Sequence, residues 1–124
     1  MRFRASQHLR RSVDFRAVRE QGRRLDAGAF ILWALARPVP ETETPGVSRV
    51  GLVASTAAVG GAVRRNRARR RLREVFRRHQ ELVPAGYDLM IVARGVVNRL
   101  TWPELEKKFA EVCRKLPPLA TPHA

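Results

Sequence analysis

Residues 64–78, RRNRARRRLREVFRR, constrain this chain more than any other stretch: nine of the fifteen are arginine and one, Glu74, is acidic. At 3.6 residues per turn, Ala68, Leu72, Val75, Phe76 and His79 fall on one side of a helix, while Asn66, Arg70, Arg73 and Arg77 line the other. One side can pack against a core; the other is a ladder of guanidinium groups. Like charges one turn apart repel by about 0.2–0.5 kcal/mol per pair, so a merely solvated helix mixes acids with its bases. A ladder of one sign calls for a polyanion. Arginine forks meet phosphate oxygens two at a time and stack on bases, which suits RNA or DNA better than a diffuse membrane charge. The apolar side is also narrow and interrupted by His79, a poor design for lying on a membrane.

The basic character extends beyond that helix. The 124-residue chain has 25 basic and 11 acidic residues, a net charge of +14; without the stretch, 16 basic and 10 acidic residues still leave +6. A field of that sign draws phosphate backbones from a distance and makes binding fall steeply with salt. The length suits one domain with a real core. A single cysteine, Cys113, excludes an internal disulfide, and no apolar run approaches the roughly 18 residues of a membrane span. The basic N-terminal residues are followed by no apolar segment of the secretory kind. These features point to a cytoplasmic protein without a membrane partner or a small-molecule substrate.

In chain order, residues 9–22 carry a helix signature: Leu9 as staple, Ser12 as N-cap, Asp14 in the first turn, apolar Val13, Phe15 and Val18, and Gly22 as stop. Residues 29–36, AFILWALA, are apolar throughout, short and rich in β-branched and aromatic side chains, which predicts a strand. Residues 38–46, with three prolines, are read as a hairpin loop to a second strand at residues 48–54, where Val50, Leu52 and Ala54 share one face and Gly51 and Val53 the other. Residues 55–63 read as a small-residue loop into the arginine helix. A further strand at residues 87–93 completes a βαβ unit. Thr101 and Glu104 form a capping box for a last helix through Leu105, Phe109, Val112 and Leu116, which Pro117 and Pro118 stop. The expected organisation is a basic arm at residues 1–8, one RNA-binding domain at residues 9–116 and a disordered tail at residues 117–124 with nothing to bury.

Catalytic equipment is missing from this pattern. His8, His79 and His123 occupy three unrelated settings, Cys113 lies beside an apolar stripe without a CxxC partner, and Glu104, Glu106 and Glu111 belong to a helix whose first turn favours negative charge, as does Asp14. No phosphate-binding glycine motif is present. The residues describe a nucleic-acid binder without chemistry of its own.

The order of these motifs resembles the bacterial ribonuclease P protein family over residues 9–116. The most specific part is an Arg-Asn-Arg motif, Arg65, Asn66 and Arg67, followed by Arg69, Arg70, Leu72, Arg73, Glu74 and Phe76. Supporting it are Leu9, Ser12, Asp14, Phe15, Val18 and Gly22, the RVG at residues 49–51, the glycine-rich residues 60–63, the IVAR ending at Arg94, and the TxxEL at residues 101–105. The resemblance implies a single α/β domain (an α+β two-layer build) in the order α-β-β-β-α-β-α, with a left-handed βαβ crossover around the arginine helix where right-handed is the rule. It implies a non-catalytic subunit of a ribonucleoprotein endonuclease. An RNA subunit holds most of the Mg2+ and carries out the hydrolysis that removes the 5′ leader of precursor tRNA. On that resemblance, Arg65, Asn66, Arg67, Arg69, Arg70 and Arg73 contact the RNA subunit, while Phe15, Arg19 and Trp33 form the leader cleft. Two departures stand out. A Ser-Lys-Lys type segment before the helix is replaced by Ser55, Thr56, Ala57 and Ala58 with one extra residue, and Arg19 stands where many relatives have an aromatic residue. From the residues alone, a ribosomal or other structural RNA-binding protein remains the competing reading.

Trp33 leaves two alternatives open. With both faces of its strand apolar and helices on one side of the sheet only, one aromatic must approach the open side. The resemblance places Trp33 there, as a floor for unpaired bases; packing beneath the first helix satisfies the periodicity equally well.

Overall fold

The computed structural model describes residues 12–38 and 46–119. The N-terminal arm, Leu9, most of the proline-rich connection and residues 120–124 lie outside the described residues. Four strands, β1 (Arg23–Asp26), β2 (Phe30–Ala36), β3 (Arg49–Val53) and β4 (Tyr87–Ala93), make one sheet, with helices α1 (Ser12–Gln21), α2 (Thr56–Val59), α3 (Ala62–Arg78) and α4 (Trp102–Arg114) around it. Apart from the four-residue α2, this is the expected order. The sheet runs β1-β2-β4-β3, with β3 and β4 parallel and the other neighbours antiparallel. The parallel pair bracketing α3 is the βαβ unit read from the sequence.

The hairpin expected across residues 38–46, which would pair β2 with β3, is not formed. β4 sits between β2 and β3 and pairs with both. Its seven residues are buried at every position but one, so it has apolar surface to cover on both faces and belongs inside the sheet. β1 carries no such signal, since Leu25 alone of its four residues is buried. α2 forms in the stretch read as a loop, its first turn capped by Ser55 Oγ, which accepts from Ala58 N at 3.1 Å.

The two sheet faces bury different sets of side chains. On one, Phe30, Leu32, Leu89 and Ile91 meet Leu72 and Phe76 of α3 and Leu105 and Phe109 of α4. Ala68, Leu72, Val75 and Phe76 are buried in α3, as its periodicity requires. On the other face, Val18 and Met90 are buried together, with Phe15, Trp33, Leu35, Val53 and Val92 packed against them. α1 therefore lies on this second face, and the expectation of helices on one side only is corrected. Gly22 makes that approach feasible: a Cβ there would lie 2.3 Å from Val18 O and 2.9 Å from Ala34 O, so any side chain would push α1 off β2.

The last helix begins at the expected capping box, with Glu104 Oε1 accepting from Thr101 N at 2.9 Å and Thr101 Oγ1 from Glu104 N at 3.3 Å. Residues beyond α4 continue to bury surface. Leu119 packs on the main core and Pro117 O accepts from Tyr87 Oη at 2.7 Å, so residues 117–119 have more to do than the composition of the tail suggests. Cys113 is buried, and burial pushes its thiol up to about 12, which makes it a packed group rather than a nucleophile.

Candidate nucleic-acid interface

The arginines of α3 divide by what they hold. Arg71 turns inward and donates to Val97 O and Leu100 O, both at 2.6 Å, bolting the β4–α4 connection to the helix. At the C-terminal end, Glu74 accepts from Arg77 Nε at 3.0 Å and from Arg78 Nε at 2.8 Å. The hydrogen bonds from Arg77 and then Arg78 hold the Glu74 carboxyl down at about 2. Arg78 also lies over the Trp102 ring, 5.4 Å from its centroid. Arg77 thus leaves the ladder on which its spacing placed it.

The remaining cations stay available. Arg65, Arg67, Arg70 and Arg73 have no internal acceptor among the described residues, and Arg69 meets only Asn66 Oδ1, at 2.8 Å. Arg67, Arg70, Arg73 and Asn66 are exposed; Arg65 and Arg69 are half-buried. Arg65 Nε is buried with no partner among the described residues. All six residues expected to contact RNA therefore lie on α3, within its first four turns, and none of them is fully buried.

A second basic surface lies across the sheet. Because α1 covers only part of its face, a cleft of about 820 Å³ remains beside it. Phe15, Arg19 and Trp33, the three residues expected together, all line it. Trp33 is half-buried: it packs against the Val18–Met90 pair and also forms part of the cleft wall. Arg16 and Arg24 add two cations to the rim, Met90 and Val92 extend the apolar floor, and among the described residues no acidic side chain lines the cleft. Arg24 was not anticipated because β1 was not recognised as a strand; once paired, it stands opposite Trp33 in the register.

An ionic cluster fixes the far end of α1's face. Arg49 Nε and Nη2 donate to Asp88 Oδ1 and Oδ2 at 2.8 and 2.6 Å, and Arg37 Nη1 donates to Oδ1 at 2.7 Å. Burial of Asp88 works to raise its pKa, but the hydrogen bonds from Arg49 and Arg37 outweigh it and the net displacement is downward. Arg49 Nη2 also lies 3.9 Å from Asp14 Oδ1, next to Phe15, so the cluster helps hold the helix that forms one cleft wall.

Among the described residues, no three His, Cys, Asp or Glu side chains converge as a metal ligand set. No described helix is long and apolar enough to cross a membrane.

The sequence model of the family Ribonuclease P matches residues 3–117. The ribonuclease P protein component of Desulfovibrio desulfuricans is 36% identical over 111 residues, covering 90% of this chain and 78% of its own length. That of Acidothermus cellulolyticus is 37% identical over 108 residues, covering 87% and 86%. The match to the Stutzerimonas stutzeri component is 46% identical over 68 residues and spans about half of that protein, 51%. Among solved structures, the RNase P protein from Thermotoga maritima superposes with a TM-score of 0.75 at 24% identity, covering 89% of this chain and 97% of that one. The Staphylococcus aureus RNase P protein gives 0.71 at 21% identity, covering 88% and 94%. These two likenesses speak for the fold, and the family match displaces the competing ribosomal reading. The chain belongs to the ribonuclease P protein component family.

Proposed function

We propose that this chain serves as the protein component of ribonuclease P, binding the RNA subunit through α3 and the single-stranded 5′ leader of precursor tRNA through the cleft beside α1. The carrying observation is the cleft: an apolar floor containing Trp33 and Phe15, rimmed by Arg16, Arg19 and Arg24, without an acid among the described residues that line it. Unpaired bases stack on aromatic side chains while cations track the backbone, and a duplex offers its bases to neither. Arg19, where relatives often have an aromatic residue, supplies a phosphate contact in place of a stacking surface.

On the other side of the molecule, Arg65, Arg67, Arg70 and Arg73, with Asn66 and Arg69, meet phosphates of the RNA subunit. In this division of labour the RNA subunit holds Mg2+ and performs the hydrolysis at the mature 5′ end. The protein raises affinity for the leader-bearing substrate and neutralises charge. The bland departure at Thr56, Ala57 and Ala58 leaves α2 as a spacer without basic contacts.

The test is reconstitution. The purified chain, the cognate RNA subunit and magnesium should together cleave precursor tRNA at the mature 5′ end at substrate concentrations where the RNA subunit alone is slow. No stimulation by the protein would refute the reading, and cleavage by nuclease-cleared protein without RNA would refute the division of labour.

A further inference from the structure

A second concavity, of about 360 Å³, opens between the first turns of α3 and the 3-10 turn Gly95–Asn98 that follows β4. Its walls include Val59, Val63, Arg64, Arg67, Gly95 and Arg99, and no acidic side chain lines it among the described residues. None of Arg64, Arg67 and Arg99 has an internal side-chain acceptor among the described residues, in contrast to Arg71, Arg77 and Arg78 a few turns away. Arg64 and Arg99 also stand outside the six positions assigned to the RNA subunit above.

The groove is built rather than incidental. Arg71 ties the turn to α3 by two hydrogen bonds at 2.6 Å, and Asn98 Nδ2 ties it again by donating to Arg64 O at 3.0 Å. Val97 anchors it from below with no exposed surface. Arg99 is thereby held at a fixed place relative to Arg64 and Arg67, although more than 30 residues of sequence separate them. Val63 is 83% exposed on the same rim, an apolar side chain facing water beside three guanidinium groups.

We infer that this groove seats one unpaired nucleotide of the RNA subunit, its phosphate held among Arg64, Arg67 and Arg99 and its base or sugar laid against Val59 and Val63. This rests on the reading that α3 binds the RNA subunit and adds a specific mode to it. The shape argues for an unpaired residue. An A-form duplex presents its phosphates from a convex surface and keeps its bases inside, so it can lie across arginines on a ridge but cannot fill a concavity with apolar walls. Arginines clustered around one small volume suit a single phosphate approached from several sides.

The test uses the full chain and the RNA subunit. Dissociation constants for wild type, Arg99→Ala, Val63→Glu and, as a control distant from the groove, Arg114→Ala are measured across salt, and 2′-hydroxyl reactivity of the RNA is mapped in each complex. Arg99→Ala should weaken binding about tenfold and lower the salt slope by about 1. Val63→Glu should weaken it at least as much while leaving the thermal melt unchanged or higher, because a carboxylate in the first turn of α3 favours the helix. Arg114→Ala should change affinity no more than about twofold. One or a few unpaired nucleotides should be protected by wild type and exposed again by Arg99→Ala. Unchanged affinity for both groove variants in a protein that otherwise binds normally would overturn the groove alone. Loss of protection only in paired segments would overturn the unpaired nucleotide, and failure of wild type to bind the RNA subunit would overturn the underlying reading.

Discussion

The outer face of α3 and the cleft beside α1 are both basic, but they are built to opposite designs. On α3, Arg67, Arg70 and Arg73 stand exposed on a convex helix that turns Ala68, Leu72, Val75 and Phe76 into the core and leaves Val63 of its first turn at the surface. In the cleft, cations occupy only the rim, and the floor is Phe15, Trp33, Met90 and Val92. A convex cationic face can touch many phosphates and few bases, so its affinity is dominated by counterion release. A concave apolar floor can touch bases, and stacking responds little to salt. One small domain thus carries a surface suited to folded RNA and another suited to a single strand, on opposite faces of the same sheet.

The largest effect tests the first half of that contrast. Affinity for the RNA subunit should fall by orders of magnitude between about 50 and about 200 mM salt. Arg65, Arg67 and Arg70 replaced together by alanine should lower the slope by about 3 without unfolding the protein. A nearly flat salt dependence in wild type would contradict the design ascribed to α3. Arg71→Ala offers the internal control. It removes two hydrogen bonds from a charged donor to Val97 O and Leu100 O, so a loss of about 2–3 kcal/mol in stability is expected, with the damage appearing in the thermal melt.

Trp33→Ala tests the second half. Its stacking surface is worth about 1–3 kcal/mol per base, roughly 5- to 150-fold in affinity for precursor tRNA, while mature tRNA, which has no leader, should bind as before. Equal losses for both RNAs would mean that Trp33 serves only its packing against the Val18–Met90 pair, and no loss for either would remove it from the cleft.

Much of this contrast was legible in the sequence, and the misses have physical causes. The buried set of α3 follows from 3.6-residue spacing, because a long helix averages over local accidents. The spacing could not separate Arg71 from its neighbours, since its partners are carbonyl groups about 26 and 29 residues away. Strand order failed at residues 38–46 because proline-rich composition marks a turn but says nothing about which strand will lie between its ends. Four-residue β1 hid Arg24 for a related reason: a strand with one buried side chain has no period. Phe15, Arg19 and Trp33 were brought together by resemblance, and only the placement of α1 on the second face explains why they share a cleft.

The smallest expected effect lies at the end of α3 where the ladder stops. By spacing, Arg77 continues the row of Arg70 and Arg73; in the structure its guanidinium faces Glu74, which also holds Arg78. To reach a phosphate, Arg77 would have to exchange that carboxylate for it, so the net gain from RNA contact is small. Arg77→Ala should therefore change affinity for the RNA subunit by less than about twofold and leave the salt slope within error, whereas Arg70→Ala, one row earlier, should lower the slope by about 1. As a solvent-screened ion pair, Arg77 should also contribute little to stability. The pH dependence follows with its sign: the Glu74 carboxyl sits below its ordinary value, so its contribution is complete above about pH 5 and is lost only as pH falls toward about 2. Binding measured from about pH 5 to about pH 8 should show no inflection from this group. Glu74→Gln is the converse experiment. Removing the carboxylate charge beside Arg77 and Arg78 should steepen the salt dependence, and an unchanged slope would mean that the C-terminal end of α3 lies beyond the RNA whatever its charge.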